Sequence, residues 1–191
     1  ADTVSKITDK IIPVVKEWQN RPLQEIYTCV YLDGFHANVK SNGAYAQKCA
    51  HVVLGIGVDG KKDILGIWLS EQESSKFWLS VLNDLKSRGV KDILIACIDG
   101  LTGFESAIKT AYPLTKVQRC IVHHVRNCTK FVSYKDLKVF CGDMKEIYNA
   151  VNEDAGLAAL EEFSKKWSSK YSYAVKSWHD NWDSLSTFFQ Y

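Results

Sequence analysis

A chain of 191 residues with a formal net charge of +2 has room for one sizeable core, or a core with an added subdomain, and its overall charge points to no partner. Hydrophobic residues make up 46% and aromatic residues 12%, which excludes a disordered tail. No apolar run approaches a membrane span, and ADTVSKITDK lacks a signal peptide's basic head and apolar stretch, so a soluble protein without a membrane partner is expected.

The six cysteines are Cys29, Cys49, Cys97, Cys120, Cys128 and Cys141. They form no CxxC pair and no compact framework, and Cys29, Cys49 and Cys97 sit inside apolar runs. Reduced thiols in a cytosolic protein are the expectation.

Along the chain, Val4, Ile7, Ile11, Ile12, Val15 and Trp18 recur at helical spacing. Pro13 removes a backbone donor among them, which predicts a kink or two short helical pieces. This lead-in, ended by Arg21-Pro22, is expected to pack on the core. Ile26–Asp33 (IYTCVYLD) reads as a strand closing on Asp33-Gly34, followed by a polar stretch from His36 to Gly43. Lys48–Val58 and Ile64–Leu69 flank Asp59-Gly60, a strong hairpin signal. Three consecutive, antiparallel strands are predicted.

Ser70-Glu71-Gln72-Glu73 fits a capping box ahead of a helix carrying Phe77, Trp78, Val81, Leu82 and Leu85, with Gly89 as its stop. ILIACIDG (Ile93–Gly100) then reads as a strand buried on both faces, ending at Asp99. Thr102-Gly103-Phe104-Glu105 fits a second capping box for a helix buried through Phe104, Ala107, Ile108 and Ala111. Lys116–Arg119 reads as a short fifth strand. From Tyr134 onward only helical stripes remain: Leu137 to Val151, Leu157 to Trp167, and Val175 through Trp178 and Trp182.

Three strands, helix, strand, helix, strand, helix is the ribonuclease H-like order: an α/β fold with a mixed sheet whose first and fourth strands lie side by side, here with an all-helical addition. A Rossmann-like order fails, because it needs a helix after the first strand and a glycine-rich turn. The expected division is a helical lead-in over residues 1–22, the α/β core over 23–132, and an all-helical unit over 133–191.

Asp33, Asp59 and Asp99 each precede a glycine, and turn chemistry accounts for any of them singly. Asp59 keeps that reading. Asp33 and Asp99 end strands that the topology makes neighbours, about 4.8 Å apart, so their carboxylates can share a cation. Magnesium favours oxygen ligands, and paired ions about 3.5–4 Å apart clamp the attacking and leaving oxygens of a phosphodiester. Glu105 is read as a capping partner, and Glu146, Glu161 and Glu162 lie in the helical region.

The segments YLDGFH, VVLGIGVDGKKDILGIW, ESSKFWLSVLNDLKSRGVKDILIACIDGLTGF, VQRCIVHHVRN and WHDNWDSLSTFF, in that order, strongly resemble the Mutator-type transposases of bacterial insertion sequences, over nearly the whole chain from Val4 to Tyr191. The resemblance implies a ribonuclease H-like core with an Asp, Asp, Glu triad interrupted by an all-helical insertion domain. It implies magnesium or manganese as cofactor, DNA (element ends and target) as partner and substrate, self-association into a dimer or larger complex, and a bacterial, nucleoid-associated location. By position Asp33 is the first triad residue and Asp99 the second, both as metal ligands. The Glu is expected beyond Tyr191, and the helical DNA-binding region before Asp2, so the fragment by itself is expected to be inactive. Cys120 and His123 match the family's Cys-x-x-His signature, for which a structural or DNA-organising role is preferred to zinc. Alternatives are a non-catalytic DNA-binding or oligomerisation module and a nuclease of the same fold.

Local charge adds to this. Lys116, Arg119, Arg126, Lys130, Lys135 and Lys138 cluster with only Asp136 opposing, which suits phosphate contacts by Arg119, Arg126 and Lys130. Trp178 and Trp182, four apart, would share a helix face, and Trp182 is a candidate for stacking on an unpaired base.

Overall fold

The computed structural model describes residues 2–41 and 44–191. In chain order the elements are α1 (Asp2–Asn20), β1 (Ile26–Ser41), β2 (Ala44–Gly57), β3 (Lys62–Ser70), α2 (Ser75–Ser87), β4 (Asp92–Ile98), α3 (Phe104–Ala111), β5 (Lys116–Arg119), α4 (Ile121–Thr129), α5 (Tyr134–Tyr148), α6 (Glu153–Trp167), α7 (Ser172–Asp180) and α8 (Trp182–Leu185), closed by a 3₁₀ turn at Thr187–Gln190. The strands form a five-stranded sheet in the order β3-β2-β1-β4-β5, which gives the mixed α/β class and the expected neighbours β1 and β4. The chain divides into two compact units, residues 1–96 with 101–115, and residues 97–100 with 116–191. Among the described residues no helix is long and apolar enough to cross a membrane. All six cysteines are free thiols.

In the first unit, β1 corrects the expected strand end. It runs on past Asp33 to Ser41, paired antiparallel with β2 from Asp33↔Val52 through Ser41↔Ala44. A two-stranded ribbon satisfies its backbone groups by cross-strand bonds whether or not its faces are buried, so the polar composition after His36 did not stop the strand. The Gly43 end of that stretch, and the side chains of Val4 and Ile7, lie outside the described residues. The Asp59-Gly60 hairpin forms as expected: Gly60 has φ 76°, and Asp59 Oδ1 accepts from Lys61 N at 3.1 Å.

One sheet face is packed. Val30, Leu32, Val53 and Leu65 are buried with Trp78, Leu82, Leu85, Phe104 and Ile108, and Trp78 stacks on Phe104 at 4.7 Å. On the other face Tyr31, Phe35, Ile67 and Leu69 are exposed. Side chains alternate along a strand, so Asp33 shares this open face with Tyr31 and Phe35.

Three local expectations shift. α1 is one continuous helix with Pro13 inside it, and Ile11, Ile12, Val14 and Val15 are exposed rather than packed. It is pinned near its end, where Gln19 Oε1 accepts from Ile67 N at 3.0 Å. The cap of α2 is Ser74, whose Oγ accepts from Phe77 N at 3.2 Å, because β3 holds Ser70 in its last position and Ser70 Oγ donates to Gln72 O instead. α3 starts after Gly103 in the left-handed region, φ 79°, with no side-chain cap from Thr102. Gly89 (φ 108°) ends α2 as expected.

In the second unit α4 to α8 bury Phe140, Met144, Ile147, Leu160, Phe163, Trp167, Trp178 and Leu185. Phe140 is met edge-on by Phe163 (5.0 Å), Trp167 (5.2 Å) and Tyr171 (5.4 Å). The last residues return to β5: Gln118 Nε2 donates to Leu185 O at 3.0 Å, Phe188 N donates to Gln118 Oε1 at 2.8 Å, and Thr187 Oγ1 donates to Val117 O at 2.8 Å. These bonds fix β5, and with it the residue that follows in the site, Arg119.

Candidate functional site

β4 ends at Ile98, and Cys120 N donates to Ile98 O at 2.7 Å, so the Asp99-Gly100 loop and the start of α4 are tied together. Cys120 caps α4 with extended backbone, and His124 N donates to Cys120 O at 3.0 Å to open the helix. α4 then presents His123, Arg126, Asn127 and Lys130 at i, i+3, i+4 and i+7, one polar face. With Asp99 and Gly100 these four line a cavity of about 320 Å³. A carboxylate and two cations thus share one open cleft. Arg126 and Lys130 form no ion pair among the described residues.

Asp136, the acid expected to offset the basic cluster, is engaged elsewhere. Ser133 Oγ donates to its Oδ2 at 2.9 Å, Tyr171 OH at 2.5 Å, and Lys170 pairs with it. These hydrogen bonds, that of Lys170 first, hold Asp136 well below the usual carboxylate range. The lysines and arginines near Asp99 therefore keep their field.

Arg119 and Cys120 face a second cavity of about 180 Å³ together with His124. His124 is 8% exposed, its ring edge-on to Trp178 at 4.6 Å. Burial, and secondarily the Arg119 charge, push it down to about 4, so it is neutral near pH 7. Cys120 and His123 thus line different cavities, and among the described residues no group of three His, Cys, Asp or Glu is placed to hold a metal ion.

Asp33 belongs to the first unit, exposed opposite Val52 in mid-strand. Its neighbour Gly34 admits the Glu73 carboxylate: a Cβ there would stand 2.5 Å from Glu73 Oε1. Trp182 is partly buried against the helical core, its ring 6.5 Å from Phe189. It does not share a helix with Trp178, because α7 ends at Asp180 and Asn181 breaks the run, so the four-residue spacing does not put them on one face.

Sequence reasoning passed over Asn127 and the burial of His124. The helical stripe from His123 to Lys130 contained the signal for Asn127, read every third and fourth residue. His124 carried none, since its burial depends on α7.

The family model described as "Transposase, Mutator family" matches residues 1–191. A probable transposase for an ISRM3-like insertion sequence element from Sinorhizobium fredii is 44% identical over 191 residues, covering 100% of this chain and 48% of its own length. A probable insertion-sequence transposase from Corynebacterium diphtheriae is 39% identical over 191 residues, 100% of this chain and 56% of its own. The IS905 transposase of Lactococcus lactis is 33% identical over 189 residues, 99% of this chain and 48% of its own. The chain spans about half the length of the curated relatives it matches.

Proposed function

The chain belongs to the Mutator family of transposases, and from that premise we propose that it is part of the catalytic core of an enzyme that cuts insertion-element ends and transfers their 3′ hydroxyls into DNA. The observation that carries this reading is the cleft in which Asp99 meets His123, Arg126 and Lys130: a carboxylate beside two basic side chains suits a phosphodiester backbone next to a metal ligand.

The core is read as ribonuclease H-like, with Asp33 on β1 and Asp99 after β4 as the first two acidic residues. Their hard oxygen donors fit magnesium or manganese, and two carboxylates call for a third donor. When bound, such an ion supplies a lowered pKa for the attacking hydroxyl and stabilisation of the leaving oxygen. Asp33 and Asp99 would hold it. Arg126 and Lys130 would position flanking phosphates, and Trp182 offers the ring for an unpaired base. By this reading the active assembly contains more than one copy.

The test is strand transfer on the element's own ends. A polypeptide of the relatives' full length should transfer strands with magnesium or manganese, and Asp33→Asn or Asp99→Asn should reduce this to background. Full activity in either variant would refute the assignment.

A further inference from the structure

Arg119 at the end of β5 has a buried Nε without a hydrogen-bond partner, and its guanidinium makes no ion pair among the described residues. A Cβ on Gly100 would stand 3.6 Å from its Nη1, so the guanidinium lies against the loop that follows Asp99. The cavity it faces holds about 180 Å³, below the ~300 Å³ at which pockets for drug-sized ligands begin. His124, Asn127, Tyr173, Ser177 and Asn181 also line it, and no carboxylate does.

A guanidinium half withdrawn from water without a counter-charge carries a desolvation cost that a bound anion offsets. Its planar fork of donors matches the oxygens of a phosphate. The neutral groups fit the same guest. The Ser177 hydroxyl and the Asn127 amide have no partner among the described residues, while Asn181 Nδ2 already donates to Ser177 O at 2.7 Å and stiffens the wall.

We propose that this cavity is a phosphate-binding subsite, in which Arg119 grips one phosphodiester group of DNA with Ser177 and Asn127 as neutral hydrogen-bond partners. It shares Gly100 and Asn127 with the cleft that holds Asp99, so the two adjoin. The assignment to DNA rests on the transposase reading, whereas the anion site rests on the cavity alone.

The experiment follows the Arg119 Nε–Hε resonance of the 191-residue chain during titration with inorganic phosphate, and then measures its affinity for a short DNA duplex across salt concentrations. Phosphate should shift that resonance saturably. Phosphate affinity measured by calorimetry should vanish in Arg119→Gln and weaken a few-fold in Ser177→Ala, which keeps the Ser177 carbonyl that accepts from Asn181 Nδ2. Arg119→Gln should weaken duplex binding about tenfold or more and lower the salt slope by about 1. Equal phosphate affinity in Arg119→Gln and the parent overturns the subsite. Arg119-dependent phosphate binding with unchanged duplex affinity overturns its assignment to DNA. In either case Arg126→Gln still weakens duplex binding if the transposase reading stands. A parent chain that binds no duplex at all is the failure of that reading instead.

Discussion

The indole of Trp78 donates to Glu73 Oε1 at 2.9 Å, and the same carboxylate oxygen lies 2.5 Å from the place a Cβ on Gly34 would take. A core tryptophan thus holds an acid against the one residue in β1 with no side chain, immediately after Asp33. Gly34→Ala should push Glu73 off its bond and destabilise the protein by about 1–2 kcal/mol in urea denaturation. In a Glu73→Ala background the same change should cost close to nothing. An equal cost in both backgrounds would place the strain elsewhere.

The acid side of the stability profile should be set largely by the helical unit. His124 is held down to about 4 from 6.5, so the unfolded chain takes up its proton first as pH falls. Stability that is complete above about pH 6.5 should therefore drain away toward pH 4, by on the order of 3 kcal/mol. Asp136, depressed by Lys170, Tyr171 and Ser133, adds a loss in the same direction at lower pH, below its ordinary value of 3.8. Denaturant melts of the parent and His124→Phe between pH 7 and pH 4 (a range spanning both states of the ring) should show the upper part of this slope flattened in the variant.

Manganese binding followed by its paramagnetic resonance, in the presence of DNA and with the full-length polypeptide, should be lost in Asp33→Asn and Asp99→Asn. Asp33 is exposed, so its substitution should leave the melting temperature within about 2 °C of the parent. Retained manganese binding in both variants would count against the two carboxylates as ligands.

Arg126→Gln and Lys130→Gln should each reduce the slope of log affinity against log salt by about 1 without changing sequence preference. Trp182→Ala should behave differently: its loss should be larger on a substrate with an unpaired base than on duplex, by about 1–3 kcal/mol. Equal effects on the two substrates would leave Trp182 as a packing residue only.

Phe140, fully buried among Phe163, Trp167 and Tyr171, should be the most sensitive position of the helical unit. Phe140→Ala should cost about 3–5 kcal/mol by denaturant melts.

By itself the sequence determined the elements whose signal is local. Hydrophobic alternation and Asp59-Gly60 specified the β2–β3 hairpin, the stripe from Phe77 to Leu85 specified α2, and ILIACI specified β4, which ends at Ile98 and leaves Leu94 exposed on one face. The order of those elements was enough to make β1 and β4 neighbours in the sheet. Where bonding partners decide, the tertiary structure had the say. β1 continues beyond Asp33 because β2 pairs with it, whatever its polarity, and the α2 cap moved to Ser74 because β3 had claimed Ser70. The site divides the same way. Asp99 after β4 and basic residues spaced along a helix are visible in one dimension. The meeting of Asp99 with Arg126 and Lys130, the engagement of Asp136 by Lys170, and the packing of His124 on Trp178 depend on groups far apart in the chain. Burial and charge compensation are properties of neighbours, and only the folded chain supplies them.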